Sequence, residues 1–261
     1  MKYFISNLLT RIFARKIFAG VNRLIFFQSA RHLGFYNHME SLSGEGWFLR
    51  TYGGGSVRSV VDVGANRGMF YRECVRNLPL LATYRGIEPH PVSFKVLEAM
   101  TRGDHIFLPF AATSERATLE LFDHEDWDGS VHASVHKEVF PRLFQSDKVV
   151  SHKIQGIPLD ELMDEGRLAG ADVLKIDVEG HEIEVLKGAR RFLETYKPKY
   201  ILLEYNEHAL ITKYHLSDLE KLLPEYSFNR LLPSGLIPIE RSFSLENRFF
   251  GYCNLAAIRR T

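Results

Sequence analysis

The chain has 261 residues, of which 45% are hydrophobic and 25% are charged, a composition that suits a globular protein with a substantial core. Its two cysteines, Cys74 and Cys253, exclude a disulfide framework and a Cys-x-x-Cys metal site, which favours a reducing, cytoplasmic setting. Residues 40–261 carry a net charge of about −5 and offer no broad basic face, so nucleic acid is excluded as a partner.

Residues 1–39 form a basic, apolar segment with six Lys or Arg residues and no acid. Basic residues interrupt every apolar stretch before it reaches the ~18 residues of a membrane-spanning helix, and no stretch ends in a signal-peptide cleavage site. The pattern predicts a helical extension over residues 1–42, interrupted at Gly20, ahead of one domain at 43–261. Four roles stay open: peripheral contact with an inner membrane surface, packing on the domain, packing in a homo-oligomer, and a mitochondrial presequence.

Residues 59–68 predict a buried strand, a tight turn and the start of a helix. The turn amides and the helix dipole then face one crevice, where nucleotide-like cofactors bind, although an ordinary structural turn has the same pattern. Gly64, Asn66 and Gly68 are spaced two and two, whereas a dinucleotide fingerprint is spaced two and three. Asn66 is predicted to replace a glycine, because Asn adopts left-handed backbone angles more readily than most residues. With Asp62, the spacing resembles motif I of S-adenosylmethionine-dependent methyltransferases.

Strands and helices alternate from residue 59 onward, which predicts a parallel sheet with right-handed crossovers. The predicted strands are Val60–Val63, Tyr84–Glu88, Ile106–Phe110, Val173–Ile176, Tyr200–Glu204, Ser227–Leu231 and Tyr252–Ile258. The predicted helices are Met69–Leu78, Pro91–Met100, Glu182–Glu194 and Leu216–Leu223, with a short capped helix at 43–49.

Two stretches break this alternation. Residues 113–156 predict extra strands at 118–122 and 151–157, and residues 232–250 predict a hairpin-like excursion. Both stretches are candidates to cover an acceptor site, and surface decoration explains them equally well. In the first stretch, His132 and His136 form a weak metal pattern, and Trp127 is a candidate platform for stacking a sugar.

The second predicted strand ends in Glu88, 24 residues after Gly64. A carboxylate at this place can accept both ribose hydroxyls of an adenosine cofactor, because it offers two oxygens. A helix cap or a surface acid is the structural alternative. The next strand ends in small residues that include Ala112, against which an adenine can lie flat.

Residues 172–182 predict a strand that finishes in Asp177, Glu179 and His181. A neighbouring strand finishes in Glu204 and Asn206. Because an open α/β sheet binds ligands at the carboxyl ends of its strands, these side chains are predicted to share one edge. A structural alternative exists for the acidic residues of this segment, which can instead cap the following helix or lie in its first turn.

Five short motifs together resemble the FkbM family of methyltransferases: Asp62–Gly68, Glu88–Pro89, Lys175–Glu182, Leu186–Ala189 and Leu203–Glu204. The resemblance implies a class I methyltransferase fold, a Rossmann-like α/β sheet that is mostly parallel with an antiparallel last strand. It implies S-adenosylmethionine as methyl donor and O-methylation of a saccharide, glycolipid or natural product. The predicted cofactor-binding residues are Asp62, Gly64, Ala65, Asn66, Gly68, Glu88, Ala112 and Asp177.

Methyl transfer to a hydroxyl requires alignment of the acceptor oxygen and removal of its proton. His181 is the predicted base because an imidazole titrates near neutral pH, with Asp177 and Glu204 as its catalytic neighbours. A rival mechanism uses Asp177, Glu204 and Asn206 as oxygen ligands for Mg²⁺.

Two other functions are compatible with the same predicted sheet. A nicotinamide-dependent oxidoreductase is disfavoured by the two-and-two spacing of the turn. A non-catalytic, cofactor-binding partner subunit is disfavoured by the presence of Asp177 and His181.

Overall fold

The computed structural model of the protein describes residues 2–37, 39–240, 242–244, 246–248 and 251–260. Its strands are β1 Ser59–Val63, β2 Thr83–Ile87, β3 His105–Leu108, β4 Ala111–Ala112, β5 Ala117–His124, β6 Val149–Ile157, β7 Val173–Ile176, β8 Tyr200–Tyr205, β9 Tyr226–Leu232, β10 Gly235–Pro238 and β11 Cys253–Arg259. Its α-helices are α1 Lys2–Phe13, α2 Ala19–His32, α3 Glu45–Phe48, α4 Met69–Asn77, α5 Pro91–Glu98, α6 Leu159–Asp164, α7 Glu182–Lys187, α8 Arg190–Tyr196, α9 His208–Thr212 and α10 Leu216–Leu222.

Eight strands form the central sheet, in the order β10-β9-β11-β8-β7-β1-β2-β3. The five strands from β8 to β3 in this order run parallel, and β11 lies antiparallel between β8 and β9. This confirms the predicted α/β class, with a mostly parallel sheet and an antiparallel last strand. The chain passes from β1 to β2 and β3 on one side and later to β7 and β8 on the other. The strand order therefore reverses beside β1, which is where open α/β sheets bind ligands.

The central strand β1 is buried from Val60 to Val63 because helices cover both faces of the sheet. Val61 and Val63 pack into one hydrophobic core, and Val60 packs into the other. Helix α4 follows the turn and contributes Phe70 and Cys74 to this second core. Packing on both faces holds the end of β1, and with it the turn that follows, in a fixed position.

The two irregular stretches fold as predicted. In the first, β4, β6 and β5 form a separate three-stranded sheet, and both predicted extra strands are present with extended bounds. In the second, β10 pairs antiparallel with β9 and forms a hairpin. Residues 241, 245, 249 and 250 of this stretch lie outside the described residues.

The prediction of one continuous helix over Glu182–Glu194 was wrong, because two helices, α7 and α8, are separated at Gly188 and Ala189. The Asp160 carboxylate accepts the backbone N–H of Phe192 (2.7 Å) and caps the start of α8. The carbonyl of Gly188 accepts the N–H of Asp160 instead of continuing a helix. A Cβ at Gly188 would also overlap the carbonyl oxygen of Thr113, so the break lets the second sheet approach closely.

The break in the N-terminal extension was predicted at Gly20 and lies instead at Ala14 and Arg15. Arg15 has extended backbone angles, and the carbonyl of Phe13 at the end of α1 accepts both the backbone N–H of Arg15 (2.8 Å) and the side-chain amide of Asn22 (2.9 Å). Gly20 lies inside α2. Over the described residues, the chain has no helix with the length and apolarity to cross a membrane. The domain division at residue 42 stays a prediction.

Candidate cofactor and acceptor site

A cavity of about 790 Å³ opens at the carboxyl ends of β1, β2, β7 and β8. Its wall includes eight of the predicted site residues: Gly64, Ala65, Asn66, Glu88, Ala112, Asp177, His181 and Glu204. Residues of the first irregular stretch, 113–156, here called the inserted stretch, also line the cavity, among them Val131, His132 and Phe144. The structure therefore brings the eight predicted residues together from five separate parts of the chain. The cavity has a volume typical of ligand-binding pockets.

The turn after β1 has the backbone that its spacing predicts. Gly64, Asn66 and Gly68 all have positive φ, with values of 86°, 44° and 78°. The Asn66 value shows that this residue does adopt the left-handed conformation otherwise favoured by glycine. A Cβ at Gly64 would overlap the carbonyl oxygen of Asp177, so the turn and the end of β7 approach more closely than any other residue allows.

Glu88 fastens the end of β2 to this turn. Its Oε2 accepts the backbone N–H of Asn66 (2.8 Å), and its Oε1 accepts the backbone N–H of His90 (2.7 Å). Burial raises the pKa of Glu88 to about 7. Each oxygen keeps a further lone pair, so an ionised Glu88 in the cavity wall can still accept hydroxyl groups.

Two predicted cofactor residues lie outside the wall. Asp62 is fully buried and accepts the hydroxyl of Tyr84, and burial raises its pKa to about 7 while nearby Lys175 opposes that shift. Gly68 packs against Leu97 and Met100 at the start of α4. Both residues support the turn without lining the cavity, and a direct contact of either residue with the cofactor remains a prediction.

Three carboxylates converge at the ends of β7 and β8. Oxygens of Asp177, Glu179 and Glu204 lie within 4.8 Å of one another. The ammonium group of Lys175 lies against Asp177 Oδ2 (2.8 Å) and against Oε1 of the nearby Glu45 (3.0 Å), and it neutralises part of the charge of these two carboxylates. Burial, followed by the Asp177 charge, raises the pKa of both Glu179 and Glu204 well above the usual range. A cationic group bound here would relieve the repulsion among these carboxylates, so this part of the cavity is suited to a cationic group.

The side chains of Asp177, Glu204 and Asn206 are not arranged as the predicted Mg²⁺ site requires. Asn206 turns its amide NH₂ toward Glu204 and Glu179, because its Oδ1 already accepts the backbone N–H of His208 (2.9 Å). Mg²⁺ needs oxygen ligands, whereas Asn206 and Lys175 present hydrogen-bond donors to the same carboxylates. Asn206 therefore does not supply the third oxygen that the metal mechanism assigns to it.

His181, the base predicted from the sequence, has partners at both ring nitrogens. Its Nδ1 lies 3.2 Å from His136 Nε2, and its Nε2 lies 3.1 Å from Thr113 Oγ1. Burial, with a smaller contribution from His136, lowers the pKa of His181 to about 4. In the described part of the chain, no hydrogen bond or ion pair joins His181 to Asp177, whose carboxylate instead binds Lys175.

Sequence reasoning missed His208, at the start of α9, although it follows Glu204 and Asn206 at alternate positions. Its Nδ1 faces Glu179 Oε2 (3.1 Å) and Asn206 Oδ1 (2.8 Å). Two acceptors at Nδ1 place the proton there, which leaves a lone pair on Nε2. That Nε2 is buried in the wall and has no hydrogen-bond partner among the described residues. Burial, and then His132, lowers the pKa of His208 to about 4, so the ring is neutral at pH 7.

The inserted stretch lines the cavity with His132, while His136 serves as the partner of His181. Trp127 is 55% exposed and lies outside the wall, so a sugar-stacking role remains a prediction. Elsewhere in this stretch, Asp128 and His152 approach His90 closely enough to resemble a metal site. However, His90 Nδ1 accepts the N–H of Val92 (3.2 Å), so its Nε2, which lies 3.1 Å from Asp128 Oδ1, carries the proton and has no lone pair for a metal.

A Rossmann-like sheet with a ligand cavity at its order reversal defines a nucleotide-cofactor-binding α/β protein. The model of the methyltransferase FkbM domain matches residues 62–229, which is more than half of the chain. The chain belongs to the FkbM methyltransferase family, and the resemblance of its motifs is confirmed.

Individual relatives are more distant. A stretch of 75 residues is 39% identical to the hexuronic acid methyltransferase AglP of Haloferax volcanii, covering 29% of this chain and only 28% of that protein. A crystal structure of an FkbM methyltransferase from Methylobacillus flagellatus has a TM-score of 0.49 and 16% identity, over 81% of this chain and 47% of that chain. An O-methyltransferase from Bacillus cereus in complex with SAH has a TM-score of 0.44 and 11% identity, over 98% and 97% of the two chains.

Proposed function

We propose that the protein transfers the methyl group of S-adenosylmethionine to a hydroxyl oxygen of a saccharide or glycolipid. One observation carries the proposal: a single cavity wall holds both Glu88, which is bonded to the turn at Asn66, and the group of carboxylates formed by Asp177, Glu179 and Glu204. S-adenosylmethionine has matching ends, since its ribose donates two hydroxyls and its sulfonium and ammonium groups are cationic.

The cofactor residues follow from this placement. Glu88 accepts the ribose hydroxyls, and the backbone of Gly64 to Asn66 approaches the methionine moiety. The small side chains of Ala111 and Ala112 leave room for the adenine. Asp177 and Glu204 then face the cationic end of the cofactor, and the ammonium group of Lys175 holds Asp177 in place through its Oδ2 (2.8 Å).

For proton removal, the geometry favours His208 over His181. His208 Nε2 has a free lone pair, and Glu179 and Asn206 fix the orientation of its ring. Bound S-adenosylmethionine would supply the methyl group and leave as the neutral thioether SAH, and His208 Nε2 would take the proton that the acceptor hydroxyl loses. His181 lines the same cavity beside His136 and is proposed to position the acceptor.

The acceptor is proposed to be a neutral hydroxyl compound. Lys175 is the only Lys or Arg among the described residues that line the cavity, and both Glu45 and Asp177 already bind its ammonium group. An acceptor carboxylate would therefore meet net negative charge. The relative AglP is named for hexuronic acid. That name supports a saccharide as the acceptor of this chain, but it does not support a neutral acceptor.

The proposed function is tested by incubating the protein with S-adenosylmethionine labelled in its methyl group and with glycan and lipid extracts. We expect base-stable label in a methyl ether, at a rate that EDTA leaves unchanged. Loss of the rate with EDTA and recovery with Mg²⁺ would establish the metal mechanism instead. Binding of SAH with no transfer to any fraction would support the non-catalytic subunit, and binding of NAD⁺ in place of SAH would support the oxidoreductase.

A further inference from the structure

Helix α1 carries an apolar stripe that is largely exposed to solvent. Five side chains at helical spacing form it, each between 41% and 50% exposed: Ile5, Leu8, Leu9, Ile12 and Phe13. The opposite face carries Ser6, Asn7, Thr10 and Arg11. This division is that of an amphipathic helix, whose apolar face is normally buried against another surface.

Helix α2 continues the exposed apolar surface. None of its residues is buried, and Val21, Leu24 and Ile25 on one face are all more than half exposed. Ile17, between the two helices, is 83% exposed. Large apolar side chains in such numbers on adjacent elements mark an interaction surface rather than ordinary surface variation.

Contacts that attach the extension to the domain lie near the end of α2 and just after it. Ala30 packs on the main core, and the carbonyl of Leu33 accepts a hydrogen bond from Arg230 of β9 (2.9 Å). Gly34 then packs against the backbone of Leu231, where a Cβ would meet the carbonyl oxygen. The apolar residues from Ile5 to Ile25 lie before this attachment, so the domain does not bury them.

The charges of this segment identify the kind of surface that would cover it. Residues 1–39 hold Lys2, Arg11, Arg15, Lys16, Arg23 and Arg31 and no acidic residue. Self-association through this segment would place like charges together, because no carboxylate is present to pair with them. Anionic lipid headgroups supply the opposite charge beside an apolar layer.

We propose that α1 and α2 lie in the plane of an anionic membrane surface, with the stripe of α1 and the exposed face of α2 among the acyl chains. Arg11, Arg15, Lys16 and Arg23 then contact the headgroups. Neither helix has the length and apolarity to cross a membrane. The proposal depends on residues 1–33 and goes beyond the proposed function, which depends on the cavity.

The test is flotation of the full-length protein with vesicles of phosphatidylcholine alone or with about one-third phosphatidylglycerol. We expect binding to the anionic vesicles that weakens with added salt. The double variant Leu8→Glu, Leu24→Glu should reduce binding at least about tenfold, because it places charge in the apolar layer. Leu80→Glu is the matched control, since Leu80 is an exposed leucine of the domain.

Retained SAH affinity in each variant shows that the domain is folded, so failure of the membrane proposal and failure of the proposed function are separate results. Equal, weak binding of wild type and double variant to both vesicle types would overturn the proposal. A dimer in sedimentation that the double variant disrupts, without vesicle binding, would assign the surface to a second copy of the chain.

Discussion

Replacing His208 by alanine is expected to lower turnover by about 10²–10⁴-fold, the usual contribution of a positioned proton acceptor. Affinity for SAH should change by less than about threefold, because the ring acts on the acceptor and not on the cofactor. Glu179→Gln should cause a smaller loss of turnover, since its amide oxygen can still accept the Nδ1 hydrogen of His208. The measurement is single-turnover transfer of labelled methyl to the acceptor found in the extracts.

His181→Ala is the matched control, because His181 is a second imidazole of the same wall, half-buried there. We expect it to raise the KM for the acceptor more than it lowers turnover. The reverse result, with His181→Ala abolishing turnover and His208→Ala leaving it intact, would restore the base predicted from the sequence.

Gly64→Ala is expected to lower SAH affinity by at least about 10²-fold, because the new methyl group would overlap the Asp177 carbonyl and force the turn away from β7. The residue also has a φ of 86°, which strains any L side chain. Calorimetric titration with SAH measures the affinity, and thermal unfolding of the same sample measures the cost to the fold.

Gly166→Ala controls for strain without overlap, since Gly166 has a φ of 70° and no atom within 4 Å of its added Cβ. It should bind SAH normally. Asn66→Gly keeps the left-handed turn and should bind within about threefold of wild type. Normal SAH affinity in folded Gly64→Ala would mean that the cofactor does not lie against this turn.

Local features of the site could be predicted from the sequence. The residues from Asp62 to Gly68 determine their own strand, turn and helix, and Asn66 adopts its left-handed backbone within that short stretch. Glu88 and Asp177 could also be placed, because parallel strands deliver their carboxyl ends to one edge. The burial of Asp62 follows from alternation along β1, which turns its side chain to the same face as Val60 and toward Tyr84.

Contacts between distant segments could not be predicted. The pairing of His208 with Glu179 depends on how the loops after β7 and β8 approach each other. The partners of His181 come from the inserted stretch, whose fold over the cavity has no local signal in the sequence. The break between α7 and α8 depends on Asp160, which lies 32 residues before Phe192, the residue of α8 whose N–H it accepts. In each case tertiary contacts decide a feature that periodicity alone does not contain.

The most direct test of the cofactor site is calorimetric titration of SAH at pH 6 and pH 8, with wild type and Glu88→Gln. Burial raises the pKa of Glu88 to about 7, so its carboxyl is mostly protonated at pH 6 and mostly ionised at pH 8. Only the ionised form offers both oxygens to the ribose hydroxyls, and we expect wild-type affinity to rise about tenfold between these pH values.

Glu88→Gln should bind more weakly at pH 8 and lose most of this rise, which separates Glu88 from Asp62, whose pKa is also raised to about 7. Saturable binding of SAH with this pH dependence is the predicted result. Absence of SAH binding at both pH values, in wild-type protein that unfolds cooperatively on heating, would contradict the account.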